Sequence, residues 1–167
     1  MGGRGASSSG GGGSGSRGGG GGEDSKAASG FTRTYTSSSG GVVDTEQGRI
    51  DQANINKQER QKYDKEHNIA KKVADEGNHV EHLDDKHLPD GSYDSRINGV
   101  KADFKETKGS GNVVRYGKEA INDQKAEMVV FNFTKFDTKT ATEIGKLTRM
   151  GIHGWYYKPG IATHFEF

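Results

Sequence analysis

The dipeptide Asn98-Gly99, set between two stretches of alternating character, constrains this chain more tightly than any other feature. A two-residue type I′ turn needs positive φ at both central positions, which asparagine and glycine accept at low cost. With the loop fixed at those two residues, the register of the flanking strands follows. Ile97 faces Val100, Arg96 faces Lys101, Ser95 faces Ala102 and Asp94 faces Asp103. Side chains alternate along a strand, so Val100, Ala102 and Phe104 point one way, together with Ile97, Ser95 and Tyr93. Lys101, Asp103 and Lys105 point the other way with Asp94.

Two carboxylates thereby become cross-strand neighbours, with Cβ atoms about 4.5–5.5 Å apart. Like charges placed so are destabilising unless something neutralises them. A divalent cation does so, because magnesium and manganese favour carboxylate oxygens and keep water ligands. Lys105 on the same face can orient a water or stabilise developing phosphate charge. These are the parts that phosphodiester hydrolysis needs, so Asp94, Asp103 and Lys105 are the first candidates for a catalytic centre. A solvated polar face would hold Asp103 and Lys105 equally well, but it gains nothing by opposing two carboxylates.

The hairpin sits within a readable order of elements. Lys57 to Glu76 has no glycine or proline, places Tyr63, Ile69, Ala70 and Val73 near helical spacing, and stops at Gly77. His79 to Leu83 reads as a strand, Leu88-Pro89-Asp90-Gly91 as a turn, and Tyr93–Ile97 and Val100–Glu106 as the hairpin strands. After the glycine-rich loop 108–112, Val113 to Lys125 reads as a second helix, weakened by Gly117. Met128 to Phe133, MVVFNF, is the best candidate for a buried central strand. A third helix over Thr138–Met150 and closing strands near Trp155–Lys158 and Thr163–Phe167 complete the pattern. The expected class is α/β (α+β), an αβββαβ core with an added C-terminal helix and one or two strands.

Composition sets the outer limits. Sixteen of the 27 glycines lie in the first 41 positions, interleaved with serine, and such a segment has little to bury against the entropy of ordering it. Residues 1–43 are therefore expected to be a disordered tail and 44–167 one domain, about 120 residues being enough for a single core. No cysteine is present, which removes disulfides, thiolate catalysis and cysteine-ligated zinc, and suits a reducing compartment. No apolar run reaches membrane-spanning length, and the start lacks the apolar stretch of a secretory signal. With 24 basic and 23 acidic residues the bulk charge gives no support to a nucleic-acid partner, so any such contact needs lysines clustered locally.

An acid on one strand followed by Asp103-Phe104-Lys105 on the next, after a helix and a strand, resembles the PD-(D/E)XK nuclease superfamily. A closer likeness is to the C-terminal tRNase domain of contact-dependent growth-inhibition (CdiA-type) toxins. It is carried by the helix-to-strand stretch from Glu66 through Gly77 to Val80, by Asp94 before Ile97-Asn98-Gly99, and by Gln124-Lys125-Ala126 entering Met128–Phe133. The resemblance covers about residues 57 to 160. It implies a restriction-endonuclease-like fold and a magnesium- or manganese-dependent RNase acting on tRNA in the cytoplasm, countered by an immunity protein. The name-giving proline is missing before Asp94, where Tyr93 stands, and Pro89-Asp90 comes earlier; the hairpin register favours Asp94 over Asp90 as the first acid. The opening Met1-Gly2-Gly3-Arg4-Gly5-Ala6-Ser7-Ser8 is also similar to the start of various bacteriophage-encoded proteins.

Further candidates surround this centre. Glu66 shares the buried stripe of Ile69, Ala70 and Val73, where a carboxylate is costly without a partner, and both that position and the resemblance make it a third acid and metal ligand. Glu59, one heptad earlier, is the weaker substitute. Gln124, Lys125 and Lys101 are expected to contact substrate, with Lys65, Lys71 and Lys72 as further phosphate contacts. Trp155, Tyr156 and Tyr157 offer stacking faces for bases, though such residues are more often core. Two other classes of function stay open: a metal-independent RNase using His79 and His82 as acid and base, and a non-catalytic module that binds RNA or protein.

Overall fold

The computed structural model describes residues 26–167, whose secondary elements form one mixed sheet with helices on both faces. Eight strands lie side by side in chain order: β1 (Phe31–Thr36), β2 (Val42–Glu46), β3 (His79–His82), β4 (Ser95–Ile97), β5 (Val100–Thr107), β6 (Met128–Phe133), β7 (Gly154–Tyr157) and β8 (Phe165–Glu166). Three of the links are parallel, β2 to β3, β5 to β6 and β6 to β7, and each is bridged by helix, as a parallel crossover requires. The helices are α1 (Gln47–Ala53), α2 (Lys57–Asp75), α3 (Val113–Lys118) and α4 (Thr138–Arg149). The α/β class is as expected, and α2-β3-β4-β5-α3-β6 reproduces the expected αβββαβ order, followed by α4, β7 and β8.

Local chemistry explains the main elements. Asn56 caps α2 by accepting the Glu59 N–H at 2.9 Å, and Gly77 ends it at φ +87°. Tyr63, Glu66, Ile69, Ala70, Val73 and Ala74 form the buried stripe of α2. The apolar members from Ile69 onward pack on Val43, Val80, Ile97, Ala102, Phe104 and Val130 on one face of the sheet. On the other face, Val129, Phe131 and Phe133 of β6 meet Val113, Ala120, Ile144 and Leu147. A central strand buried from both sides is continuously apolar, as MVVFNF is. Asn98 (φ +49°) and Gly99 (φ +88°) make the hairpin turn, with Ile97, Arg96 and Ser95 opposite Val100, Lys101 and Ala102 as the turn chemistry dictates.

Two expectations need correction. Part of the expected tail, residues 1–25, lies outside the described residues. The remainder is not tail as far as 43, because β1 and β2 pair antiparallel across Ser37–Gly41. The β-branched and aromatic alternation of Phe31–Thr36 is strand-forming, but it is flanked by serine and glycine that obscure it. The second helix is shorter than expected: α3 ends at Lys118 and a π-helical turn, Glu119–Asp123, replaces its last part. Gly117 lies inside α3 because a Cβ there would come 2.6 Å from Leu147 Cδ2, so the glycine sets how closely α3 and α4 approach.

The same constraint is harsher at Gly154, where a Cβ would stand 1.9 Å from the Val129 carbonyl oxygen. Gly154→Ala is expected to cost about 3 kcal/mol in urea unfolding, because backbone rather than a side chain must move. Gly99→Ala meets no atom within 4 Å and suffers only its positive φ, so about 1 kcal/mol is expected there. Equal losses would contradict the packing argument.

Candidate functional site

The site begins where β4 leaves the sheet. β4 pairs with β5 only from Ser95 to Ile97, so Asp94, expected to sit opposite Asp103 in the ladder, lies just beyond its end. Its backbone carbonyl accepts the Leu83 N–H at 2.9 Å, and its side-chain Oδ2 accepts the Phe104 N–H at 2.9 Å. The Asp94 carboxylate thus stands in for the missing strand. It is held 3 % exposed, beside Asp103, which is fully buried.

This acidic pair is under-compensated. Lys105 Nζ stands 2.7 Å from Asp103 Oδ2 as an ion pair, yet among the described residues neither Asp103 oxygen has an aligned hydrogen-bond donor. Burial, and then the charges of Glu66 and Asp103, push the Asp94 carboxyl well above the usual range. Burial also raises Asp103, against the pull of Lys105. Burial alone would lower the Lys105 ammonium, but Asp103 and Asp94 outweigh it and raise it. Gln124 Oε1 accepts from Lys105 Nζ at 3.1 Å, so the residue expected to contact substrate lines the cavity and holds the lysine.

Glu66 reaches the same cavity from α2. Its Oε2 accepts from Arg49 Nη2 at 2.7 Å and Nε at 3.2 Å, and lies 3.1 Å from His82 Nε2; Lys62 Nζ is 3.7 Å from Oε1. Burial raises its pKa, but the His82 hydrogen bond and the charges of His82, Arg49 and Lys62 prevail and hold Glu66 well below the ordinary carboxylate range. Arg49 is 1 % exposed, and no sequence pattern singles it out. A buried arginine demands an acid, but nothing in the chain between residues 49 and 66 marks which acid.

A cavity of about 230 Å³ gathers Glu66, Asp94, Lys105, Gln124, Lys62 and Tyr116 along its walls. Lys101 is not among them: its ammonium pairs with Asp90 at 2.7 Å and lies over the Tyr93 ring. Asp90 is thereby committed outside the cavity, and Asp94 is the acid that enters it. Lys125 is also absent; it adopts a left-handed φ of +63° where the chain turns into β6, and its amine meets the Asn122 carbonyl. Glu59 is paired with Lys86 at 3.5 Å. Of the two histidines proposed as acid and base, His82 is fully buried against Tyr63, and His79 is tied to Asp44 at 2.9 Å. Neither histidine lines the acid cavity, so the structure does not bring them together there as an acid and base. Tyr157 belongs to the core, its hydroxyl donating to Glu76 Oε1 at 2.7 Å.

Among the described residues no group of three or more histidine, aspartate or glutamate side chains is arranged as a metal centre. The donor chemistry of two of them fits a hard divalent cation nonetheless. Asp94 lines the cavity, whereas the adjacent Asp103 is fully buried and not part of its lining; neither Asp103 oxygen has an aligned donor, so its carboxylate stays available to a cation that reaches it past Asp94. Glu66 fits less well as the expected third ligand, because Arg49 and His82 occupy Oε2.

No family model matches the chain, and no curated protein does either. A solved structure does: a chain of the CdiA-CT/CdiI toxin and immunity complex from Burkholderia pseudomallei superposes with a TM-score of 0.53 at 14% identity, over 68% of this chain and 89% of that one. At that identity the likeness is one of fold.

Two stability experiments test the electrostatics. Glu66→Gln leaves Arg49 and His82 without their anion and is expected to cost roughly 3–5 kcal/mol. Asp94→Asn keeps an acceptor for Phe104 N–H but removes a carboxyl whose folded pKa is raised. The stabilisation from a raised carboxyl is fully present below its unfolded pKa of about 3.9 and is lost as pH rises through the folded value. Metal-free Asp94→Asn should therefore gain on the wild type as pH climbs from about 4 towards neutrality. Parallel pH profiles of the unfolding midpoint would refute the buried-acid argument.

Proposed function

We propose that this domain is a divalent-metal-dependent endonuclease of the PD-(D/E)XK kind, acting on RNA and directed at tRNA in the manner of a toxin. The observation that carries the reading is the adjacent, buried, under-compensated pair Asp94 and Asp103 with Lys105 fixed beside it. Among the described residues Lys105 is the one cation in ion-pair contact with this pair, while Arg49 and Lys62 pair with Glu66 and reach Asp94 only through their charge.

In this reading Asp94 and Asp103 would hold magnesium or manganese. The cation, when bound, supplies a polarised phosphate and a water of lowered pKa. Lys105, held between Asp103 and Gln124, presents its ammonium to the charge that develops on a phosphate oxygen. Glu66, kept ionised by Arg49 and His82, adds negative potential that favours a cation beside Asp94. Lys62, paired with Asp85 at 2.9 Å, and Lys65, 4.0 Å from Glu106, line the cavity and would turn towards the phosphates of a bound strand. The likeness to a chain of a toxin–immunity complex supports the toxin reading and with it an immunity protein as partner; the cytoplasm as the place of action is part of the proposal.

The test is incubation with tRNA, other RNA and DNA, each with magnesium, manganese or a chelator, beside Asp103→Ala. RNA should be cut only with metal, and Asp103→Ala should lose at least about 100-fold in rate. Metal should also raise the wild-type unfolding midpoint and not that of the variant, since only the former binds it. Full cleavage by Asp103→Ala, or in chelator, would sink the proposal.

A further inference from the structure

Next to the acid cavity lies a larger one of about 480 Å³, and Lys65, Glu106 and Tyr116 line both. The loop from Thr107 to Asn112, which includes Lys108, lines it together with Lys135 and Asp137. The two lysines are exposed, and among the described residues neither takes part in an ion pair. Of the acids along this wall, Glu106 has Lys65 Nζ at 4.0 Å. Asp137 accepts Thr140 N–H and Oγ1–H at 2.9 Å each as the cap of α4, so its charge is spent on the helix. Lys108 and Lys135 are thus the cavity lysines held in no ion pair, although the charge of Lys135 does act on Asp137. The loop is short in side chain at Gly109, Ser110 and Gly111; Gly109 is buried, but Gly111 is exposed with nothing within 4 Å of where a Cβ would stand, so a ligand can approach the backbone there closely. Tyr116 stands at the junction, with Lys105 Nζ 5.9 Å and Arg115 Cζ 4.5 Å from its ring centre.

We propose that this second cavity is a subsite for the phosphodiester backbone of the strand next to the scissile bond, gripped by Lys108 and Lys135, with Tyr116 as the ring against which the intervening base stacks. The proposal rests on the nuclease reading only for the position of the scissile bond. Lysine contacts of this kind position a strand without reading its sequence, and base stacking on tyrosine is equally tolerant. The subsite therefore selects a strand that runs on past the acid cavity over a lone nucleotide.

The experiment measures binding of fluorescein-labelled single-stranded RNA and DNA oligonucleotides to the full chain across a salt series, with metal chelated so that nothing is cut. Lys108→Ala/Lys135→Ala should weaken RNA binding by on the order of 10-fold and flatten the slope of log affinity against log salt by about 1.4, about 0.7 for each single-strand phosphate that a lysine no longer neutralises. Lys108→Arg/Lys135→Arg should keep both, which separates lost charge from altered folding. The same weakening with DNA means that the backbone phosphate is what is gripped, and weakening with RNA alone adds the ribose to the recognised group; both support the subsite. Unchanged affinity and slope, or no binding by the wild type, overturns it. Metal-dependent cleavage with unchanged binding would remove the subsite and leave the nuclease standing, whereas lysine-dependent binding by a protein that cuts nothing would do the reverse.

Discussion

The N–H of Phe104 lies inside the sheet at a point where β4 has already ended, and a buried amide without an acceptor costs about 1–3 kcal/mol. Asp94 supplies that acceptor with its side chain while its own carbonyl stays bonded to Leu83. One residue thus closes the sheet on both sides, and it can do so only with its carboxyl turned inward beside Asp103. The acidic pair follows from a backbone requirement. It is not an arrangement that two aspartates would choose, and the raised pKa of Asp94 is the record of that conflict.

Charge balance then divides the cavity in two. On the α2 side, Glu66 is matched by Arg49, His82 and Lys62, and those partners overcome its burial. On the hairpin side, Lys105 makes the ion pair with Asp103, Arg49 and Lys62 act on Asp94 through their charge, and Gln124 adds a dipole but no charge. The two halves are close enough that Glu66 is among the causes that raise Asp94. A cation placed at the hairpin half would relieve all three acids together, whereas one placed at Glu66 would compete with Arg49.

How much of this is legible in the amino-acid order depends on the range of the interaction. The turn and the three pairs beside it are legible to the residue, because Asn98-Gly99 chemistry is local and leaves one register open, but the early end of β4 before Asp94 is not. Apolar periodicity and caps mark α2, β6 and α4, and the turn marks the nearness of Asp94 to Asp103. β1 and α1 escape notice, the first because a six-residue strand is submerged in serine and glycine, the second because seven residues carry almost two turns and little pattern. Within the site, Arg49 is invisible because its partner is 17 residues away and belongs to another helix. Alternation and position assign Lys101 and Lys125 to the substrate, but a turn acid, Asp90, and a left-handed backbone redirect them. Alternation tells the face of a strand; it does not say which neighbour a lysine will find there.

Beyond Ala102, β5 has lost β4 and pairs with β6 alone, through to Thr107. That half-paired stretch is what opens the molecule. Phe104, Lys105 and Glu106 line the acid cavity, and Glu106 and Thr107 line the next, so both cavities follow one uncovered strand edge. An exposed edge invites pairing with other chains, and charged side chains blunt it. Lys105 and Glu106 do that here, with Lys65 of α2 lying over Glu106. It is also the carboxyl end of a strand in parallel pairing, where open α/β sheets have room for ligands because the crossover loops diverge. The early end of β4 therefore accounts for the position of Asp94, for the cleft beside it, and for the charged side chains along the cleft floor.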